Sequence, residues 1–297
     1  MTPRTSSLPI LLACLLALPL AAADGPAAQP PGAGMPAPKA GGTGDLAIFP
    51  TRIVLEGRER AAEVMLQNCG ASAASYRVSI KEMEMLPSGK IQDREKAPGE
   101  VSAADLVRFS PRQVDLAPGE SQTVRIQVRK PDGLREGEYR SHMLFQAIPT
   151  AEPPRITGED PERKLSFSIT QLVGISIPII VRHGTTSAAI ALSGLRFWQP
   201  EVKDALPVLS LVMARTGNRS VIGDFTVTVE SGGKLRKGTQ VSELKNIAVY
   251  SNMAGRDVHL PMAAGRDGGL RGARVKVTFT ATDMKLPPVT ATLDIDH

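Results

Sequence analysis

Four histidines and two cysteines are the side chains best able to bind a metal or attack a substrate, and their placement favours neither role. The histidines lie far apart, without the short intervals that metal ligands share, at His142, His183, His259 and His297. Cys69 lies in a turn beside Gly70, with no partner base near it in the sequence. No serine elbow, Walker loop or dinucleotide-binding glycine motif is found. We therefore predict no enzyme, no metal site and no cofactor.

The segment from Leu165 to Val181 instead indicates binding through the burial of apolar side chains. Every second residue there is apolar except Gln171, and small or polar residues fill most positions between. Such alternation is typical of a β-strand with one apolar face. A strand this long far exceeds the usual length of about five or six residues. We expect its last part to close its own domain and its first part to present an apolar row to another molecule; two strands with a bend near Gly174 are the alternative.

The N-terminus predicts export. Residues 1–23 combine a positive start at Arg4, an apolar segment over residues 8–20 and a small-residue cleavage site ending at Ala23. The apolar segment is too short to span a bilayer, and no later run is long enough. We expect an exported chain without stable membrane insertion. A lipoprotein site at Cys14 is the alternative, and cleavage after Ala23 is preferred because the apolar run continues past that cysteine.

Composition limits the remaining possibilities. Removing Arg4 takes the formal net charge from +5 to +4, and removing Cys14 leaves one cysteine, so no intrachain disulfide can form. Positive charge is spread along the chain and only 4% of residues are aromatic, which argues against nucleic acid as a partner. Residues 24–44 are rich in Ala, Gly and Pro and are expected to form a disordered tether. The rest of the chain is long enough for two domains.

From Asp45 the alternation predicts an all-β chain. About seven strands, the first over residues 48–55, are separated by turns such as Pro118-Gly119, a pattern typical of an immunoglobulin-like sandwich. Strand-like segments begin again after Gly184 and predict a second β-sandwich, in which Phe197 and Trp198 are expected to pack rather than stack on a sugar. We expect domains at 45–183 and 184–297, set at a fixed angle with a cleft between them.

Four segments of the first predicted domain carry a family resemblance. They read PTRIVLEG, FSPR, LAPGESQTVRI and EYRSHMLFQAIP, at residues 50–57, 109–112, 116–126 and 138–149. In order and spacing they resemble the PapD-like periplasmic chaperones of pilus and fimbrial assembly over residues 45–183. The second domain resembles that family only in size and strand number.

The resemblance implies an L-shaped pair of immunoglobulin-like domains that binds pilus or fimbrial subunits. Such subunits lack their last strand, and the chaperone's seventh strand fills the open groove, a mode called donor-strand complementation. Its subunit-binding face would consist of Leu165, Phe167, Ile169, Gln171 and Val173. An outer-membrane usher is a further partner that the family implies. Because an exposed apolar edge invites aggregation, self-association is one way for the free protein to cover it.

Arg52 and Pro178 decide how closely this chain follows the family. The family holds the subunit's C-terminal carboxylate with a first-strand arginine, which Arg52 matches, and with a seventh-strand lysine, where this chain has Pro178. A proline carries no charge, so the second anchor is missing. Either this is a divergent chaperone with another anchor, or it is a related protein that no longer serves pili. A structural or adhesive two-domain protein of the cell envelope is the alternative function.

Overall fold

The computed structural model describes residues 45–149, 173–202, 205–263 and 268–295, which form strands almost throughout. The first strands are β1 (Leu46–Phe49), β2 (Ile53–Leu55), β3 (Ala61–Asn68), β4 (Ala74–Lys81), β5 (Met83–Met85) and β6 (Ile91–Asp93), followed by the short helix α1 (Ala103–Leu106). Next are β7 (Val107–Ser110), β8 (Gln113–Leu116), β9 (Ser121–Val128), β10 (Gly137–Ile148) and β11 (Gly174–His183). The last are β12 (Ala188–Trp198), β13 (Val208–Gly217), β14 (Val221–Gly232), β15 (Gln240–Val249), β16 (Gly255–Pro261), β17 (Ala273–Ala281) and β18 (Val289–Asp294).

The first sandwich consists of two facing sheets, with the strand orders β1-β3-β9-β7 and β2-β11-β10-β4-β8. Alternate residues of each strand point into one core, as period-two patterning requires. Val64, Val124 and Ile126 have no exposed surface there, and Ile179 and Val181 of β11 meet them from the other sheet. The end of the long predicted strand therefore belongs to this domain's own core, as expected.

The prediction of one continuous first strand over residues 48–55 is wrong. The chain forms β1, breaks at Pro50 and Thr51, and then forms β2 in the opposite sheet. Pro50 has no N–H to donate to a ladder, so one strand cannot pair continuously through it. β2 joins β11 in parallel. Arg52 directly precedes β2, so this change of sheet places it beside β11, the last part of the predicted subunit-binding strand.

The second sandwich packs the sheet β12-β13-β16 against the sheet β15-β14-β17-β18. Its core is separate from the first and contains residues from Leu209 to Ile295, among them Phe225 and Phe279, whose ring centroids are 5.0 Å apart. Phe197 packs against this core, as predicted, while Trp198 stays 47% exposed. The alternation of apolar and polar residues in the sequence did not predict β16.

A hairpin between β4 and α1, formed by β5 and β6, also escaped prediction. Its tip reaches the second sandwich, where the backbone N–H of Asp257 donates to the carbonyl oxygen of Pro87 at 2.8 Å. The described residues lie in one compact unit, residues 38–297. The prediction of an all-β chain with two sandwiches is confirmed, while the domain boundary at 183 and 184 stays a prediction.

Candidate functional site

The apolar face of β11 leaves the core step by step toward its N-terminal end. Val181 and Ile179 are fully buried, Ile177 is 3% exposed, Ile175 is partly buried and Val173 is 37% exposed. All five lie on the same face, because side chains of a strand alternate with a period of two. The apolar face of the strand therefore extends beyond the core of the first sandwich and is exposed at residue 173.

One edge of β11 is open along the same stretch. β10 pairs with β11 from Gly174 to His183, but β2 covers the other edge only at residues 179–181. Within the described chain nothing pairs with that edge over residues 173–178. Unpaired strand edges are ready sites for the addition of another strand. Pro178, which has no N–H to offer, is the last residue before β2 begins to pair.

Arg52 lies at the end of this open edge, in a cavity of about 390 Å³. Side chains of both sandwiches and of the β5–β6 hairpin line the cavity, and none of them is acidic. They are Thr51, Arg52, Met85, Gly89, Ile91, Arg140, Pro178, Ile180, Ser220, Ile222, Asn246, Ala248, Tyr250 and Arg256. Three arginines thus share one cavity with apolar side chains and no carboxylate. A wider depression of about 530 Å³ around Arg108 and Arg125 is lined mostly by exposed residues of the first sandwich alone.

Beside the cavity, an ion-pair cluster that is buried except at Glu56 joins the two sandwiches. Arg182 is paired with Glu138 at 3.2 Å, with Glu56 at 3.0 Å and with Asp283 at 3.0 Å. Arg219 pairs with Glu56 and Asp283, and Arg140 with Glu138. Ser220 adds hydrogen bonds from its hydroxyl and N–H to Glu138.

Charges within this cluster balance, and two arginines of the region stand outside it. Three carboxylates (Glu56, Glu138 and Asp283) face three guanidiniums (Arg140, Arg182 and Arg219). Arg52 and Arg256 form no ion pair within 4.0 Å among the described residues. The cavity therefore carries an excess of two positive charges, one from each sandwich.

The pKa shifts agree with this charge balance. Burial lowers the pKa of the Arg52 guanidinium, and the repulsion of Arg140 and Arg182 lowers it further, against the attraction of Asp283. Burial acts to raise the pKa of Glu138, but Arg140, Ser220 and Arg182 outweigh it and hold that pKa below its ordinary value. Glu138 is thus a satisfied anion, whereas Arg52 is a partly buried cation for which the repulsion of two arginines opposes the attraction of Asp283. An anion in the cavity would stabilise Arg52.

His142 lies at the contact between the sandwiches. Its Nε2 is 3.2 Å from the hydroxyl oxygen of Tyr250, and its Nδ1 is buried without a partner among the described residues. Burial, and then the nearby charge of Arg140, lower the pKa of His142 to about 4. This contact gives His142 a place in the packing between the two sandwiches.

We expect the stability of the protein to fall as the pH drops from about 6.5 to about 4, by about 3 kcal/mol from His142. The folded chain keeps this imidazole neutral, so the unfolded chain takes up the proton first and is favoured as the pH falls. Denaturant melts of His142→Gln should lack this slope. His259→Gln, at an exposed position of β16, is the matched control and should keep it. Equal slopes in both variants would show that His142 does not titrate as described.

The predicted binding residues are covered only in part. Leu165, Phe167, Ile169 and Gln171 lie outside the described residues, so their roles stay predictions. Val173 and Arg52 are described, and both lie along the open edge of β11. Sequence reasoning missed Arg256 and the cluster around Glu138, since opposite charges distant in sequence give no pattern that identifies them as partners.

Two general features complete the description of the site. No helix within the described ranges is long and apolar enough to cross a membrane. In that same part of the chain, His, Cys, Asp and Glu side chains form no group that could hold a metal ion.

No protein-family model matches the chain, and no curated protein matches it in sequence. Among solved structures it is similar to the YadV chaperone, with 12% identity, coverage of 84% of this chain and 100% of that chain, and a TM-score of 0.44. It is also similar to the CupB2 chaperone of Pseudomonas aeruginosa, with 11% identity, coverage of 84% and 100%, and a TM-score of 0.42. It is similar as well to the E. coli chaperone DraB, with 13% identity, coverage of 86% of this chain and 98% of that chain, and a TM-score of 0.41. All three similarities are distant in sequence, with identities of 11–13%.

Proposed function

We propose that the chain is a periplasmic chaperone that binds pilus or fimbrial subunits by donor-strand complementation through the strand 165–181. The observation that carries this proposal is the exposure of the apolar face of β11 and of the residue before it, which rises from none at Val181 to 37% at Val173. A strand that served only its own domain would end its apolar face where its core ends. Here the alternation continues in sequence through Ile169, Phe167 and Leu165.

Such a row suits a partner with an open apolar groove. Each large apolar side chain that becomes fully buried contributes on the order of 1.5–3 kcal/mol, so three or four of them outweigh any single polar contact. The unpaired edge over residues 173–178 adds backbone hydrogen bonds, which carry much of the affinity when a strand joins a sheet. Self-association through the same edge is the simplest cover for the free protein, and an usher is a further proposed partner.

The position of Arg52 gives the partner strand a direction. A strand laid along residues 173–178 meets β2 at Ile53 and must end there, in the cavity that Arg52 lines. An amino terminus would be repelled by the positive charges of the cavity, whereas a carboxylate would be attracted. We propose that the subunit strand runs parallel to β11 and ends with its C-terminal carboxylate on Arg52. An arginine–carboxylate hydrogen bond is worth about 1.5–3 kcal/mol and fixes register more than total affinity.

Arg52→Ala should weaken subunit capture about tenfold or more while leaving the melting temperature unchanged or slightly raised. Arg52 has no ion pair within 4.0 Å among the described residues, and the repulsion of Arg140 and Arg182 opposes the attraction of Asp283, so its loss removes no strong stabilising contact. The measurement is the yield of periplasmic proteins that co-purify with each variant, with their identity read by mass spectrometry. Arg108→Ala, at an exposed strand position of the same domain, is the control and should behave as wild type. Equal yields from both variants would show that Arg52 holds no carboxylate.

A further inference from the structure

Arg256 stands on the second sandwich's side of the cavity, and its hydrogen bonds go to neutral acceptors. Its Nη1 donates to the carbonyl oxygen of Ala248 at 2.9 Å and lies 3.9 Å from the sulfur of Met85, while its Nε donates to the carbonyl oxygen of Asp257 at 3.4 Å. Among the described residues no carboxylate lies within ion-pair distance of it. Burial lowers the pKa of Arg256, as it does that of Arg52. Two partly buried guanidiniums without an ion pair within 4.0 Å among the described residues therefore line one cavity.

The β5–β6 hairpin fixes the direction of the Arg256 side chain. Pro87 at the hairpin tip accepts the N–H of Asp257, which holds the hairpin against β16. Gly89 lies against the guanidinium so closely that a Cβ atom on it would be 1.7 Å from Nη2 of Arg256. Only glycine leaves room for that guanidinium in this place. The hairpin therefore forms one wall of the cavity and positions the cation of the opposite domain.

We propose that Arg256 is the second anchor of the site and contacts the partner's terminal carboxylate opposite Arg52. It would supply, from the second sandwich, the charge that Pro178 does not supply on β11. This inference rests on the proposed function and makes it more specific. The bound carboxylate would offset one of the two positive charges and accept hydrogen bonds from both guanidiniums, which are partly buried and have no ion pair within 4.0 Å among the described residues.

The decisive probe is an eight-residue synthetic peptide of alternating threonine and valine, prepared with a free C-terminal carboxylate and, separately, as the carboxamide. Isothermal titration of the full-length mature protein measures both affinities. Wild type should bind the acid roughly ten- to a hundredfold more tightly than the amide, the range expected for charge-assisted hydrogen bonds. Arg256→Gln should lose about tenfold for the acid and less than about twofold for the amide. Arg256→Lys should recover part of the loss, because it restores the charge without the fork of donors.

A glycine pair tests the positioning without removing any charge. Gly89→Ala should displace the Arg256 guanidinium. The affinity for the acid peptide should then fall several-fold, while the affinity for the amide peptide stays unchanged. Gly99→Ala is the matched control, because Gly99 has a similar positive φ, +77° against +82°, and nothing within 4 Å of the added carbon. If the amide binds and Arg256→Gln binds the acid as wild type does, this inference is wrong while the proposed function stands. If neither peptide binds wild type, the proposed function fails and the second anchor fails with it.

Discussion

Replacing Glu138 with glutamine should lower the free energy of unfolding by about 3–5 kcal/mol, the usual cost of removing one partner from a buried ion pair. The Glu138 side chain has no exposed surface, and it pairs with Arg182 and Arg140, which are 3% and 10% exposed. Glutamine keeps the shape but leaves Arg140 without its carboxylate and Arg182 with only Glu56 and Asp283. The effect is large because the remaining charges stay buried.

Equilibrium denaturation at neutral pH measures this loss. Glu63→Gln is the matched control: its pair with Arg125 is exposed at both ends, and exposed pairs are worth about 0–1 kcal/mol. The folded pKa of Glu138 is lowered, so its stabilisation is present above the ordinary glutamate pKa and is lost as the pH falls through the lowered value. Glu138→Gln should therefore lose its disadvantage in strong acid. A neutral-pH loss no greater than that of Glu63→Gln would refute the cluster as a structural brace.

The second large effect separates the two parts of the long strand. Ile177→Asp should cost more than about 4 kcal/mol, because it places a carboxylate in the core of the first sandwich, where Ile177 is 3% exposed. Val173→Asp, four residues earlier on the same face, should cost less than about 1 kcal/mol, because Val173 is 37% exposed. Thermal melts of the two isolated variants make the comparison.

Subunit binding tests the exposed part of the long strand separately from the stability of the domain. Val173→Asp should fold and yet lose its subunit, since a carboxylate in an apolar groove is costly. Ile169→Asp, within the predicted donor row, should do the same. A collapse of isolated Val173→Asp would place this residue in the protein's own core and contradict the donor-strand proposal at that position.

Much of the fold could be predicted because its information is local. β9 alternates strictly from Val124 to Val128, so its buried face follows from the sequence, and the Pro118-Gly119 turn marks where β9 begins. The β5–β6 hairpin is different. Its strands are only three residues each and too short for alternation to be distinctive, so their sequence gives little periodic signal. The break at Pro50 carried a signal in the proline itself, which cannot continue a ladder.

The site was predictable only where a motif or a period marks it. Arg52 could be identified from its segment, and Val173 from the alternation of the long strand. Arg256 and Glu138 belong to the cleft because distant strands bring them together: Arg256 approaches Met85 across a separation of 171 residues. Nothing local in β16 distinguishes such an arginine from an exposed strand residue. The second anchor thus becomes visible only when both sandwiches are assembled.

The most direct test of the central claim is site-specific photo-crosslinking in the periplasm of the producing cell. A photoreactive amino acid is placed at Val173 in one variant and at Val212 in another. The two positions are matched in exposure, at 37% and 39%, but Val212 lies on β13 of the second sandwich. Mass spectrometry then identifies what each position captures. The proposal predicts that residue 173 crosslinks to small secreted β-rich subunits through their apolar grooves, while residue 212 does not. Absence of a crosslink at residue 173, or the same products from both positions, would contradict it.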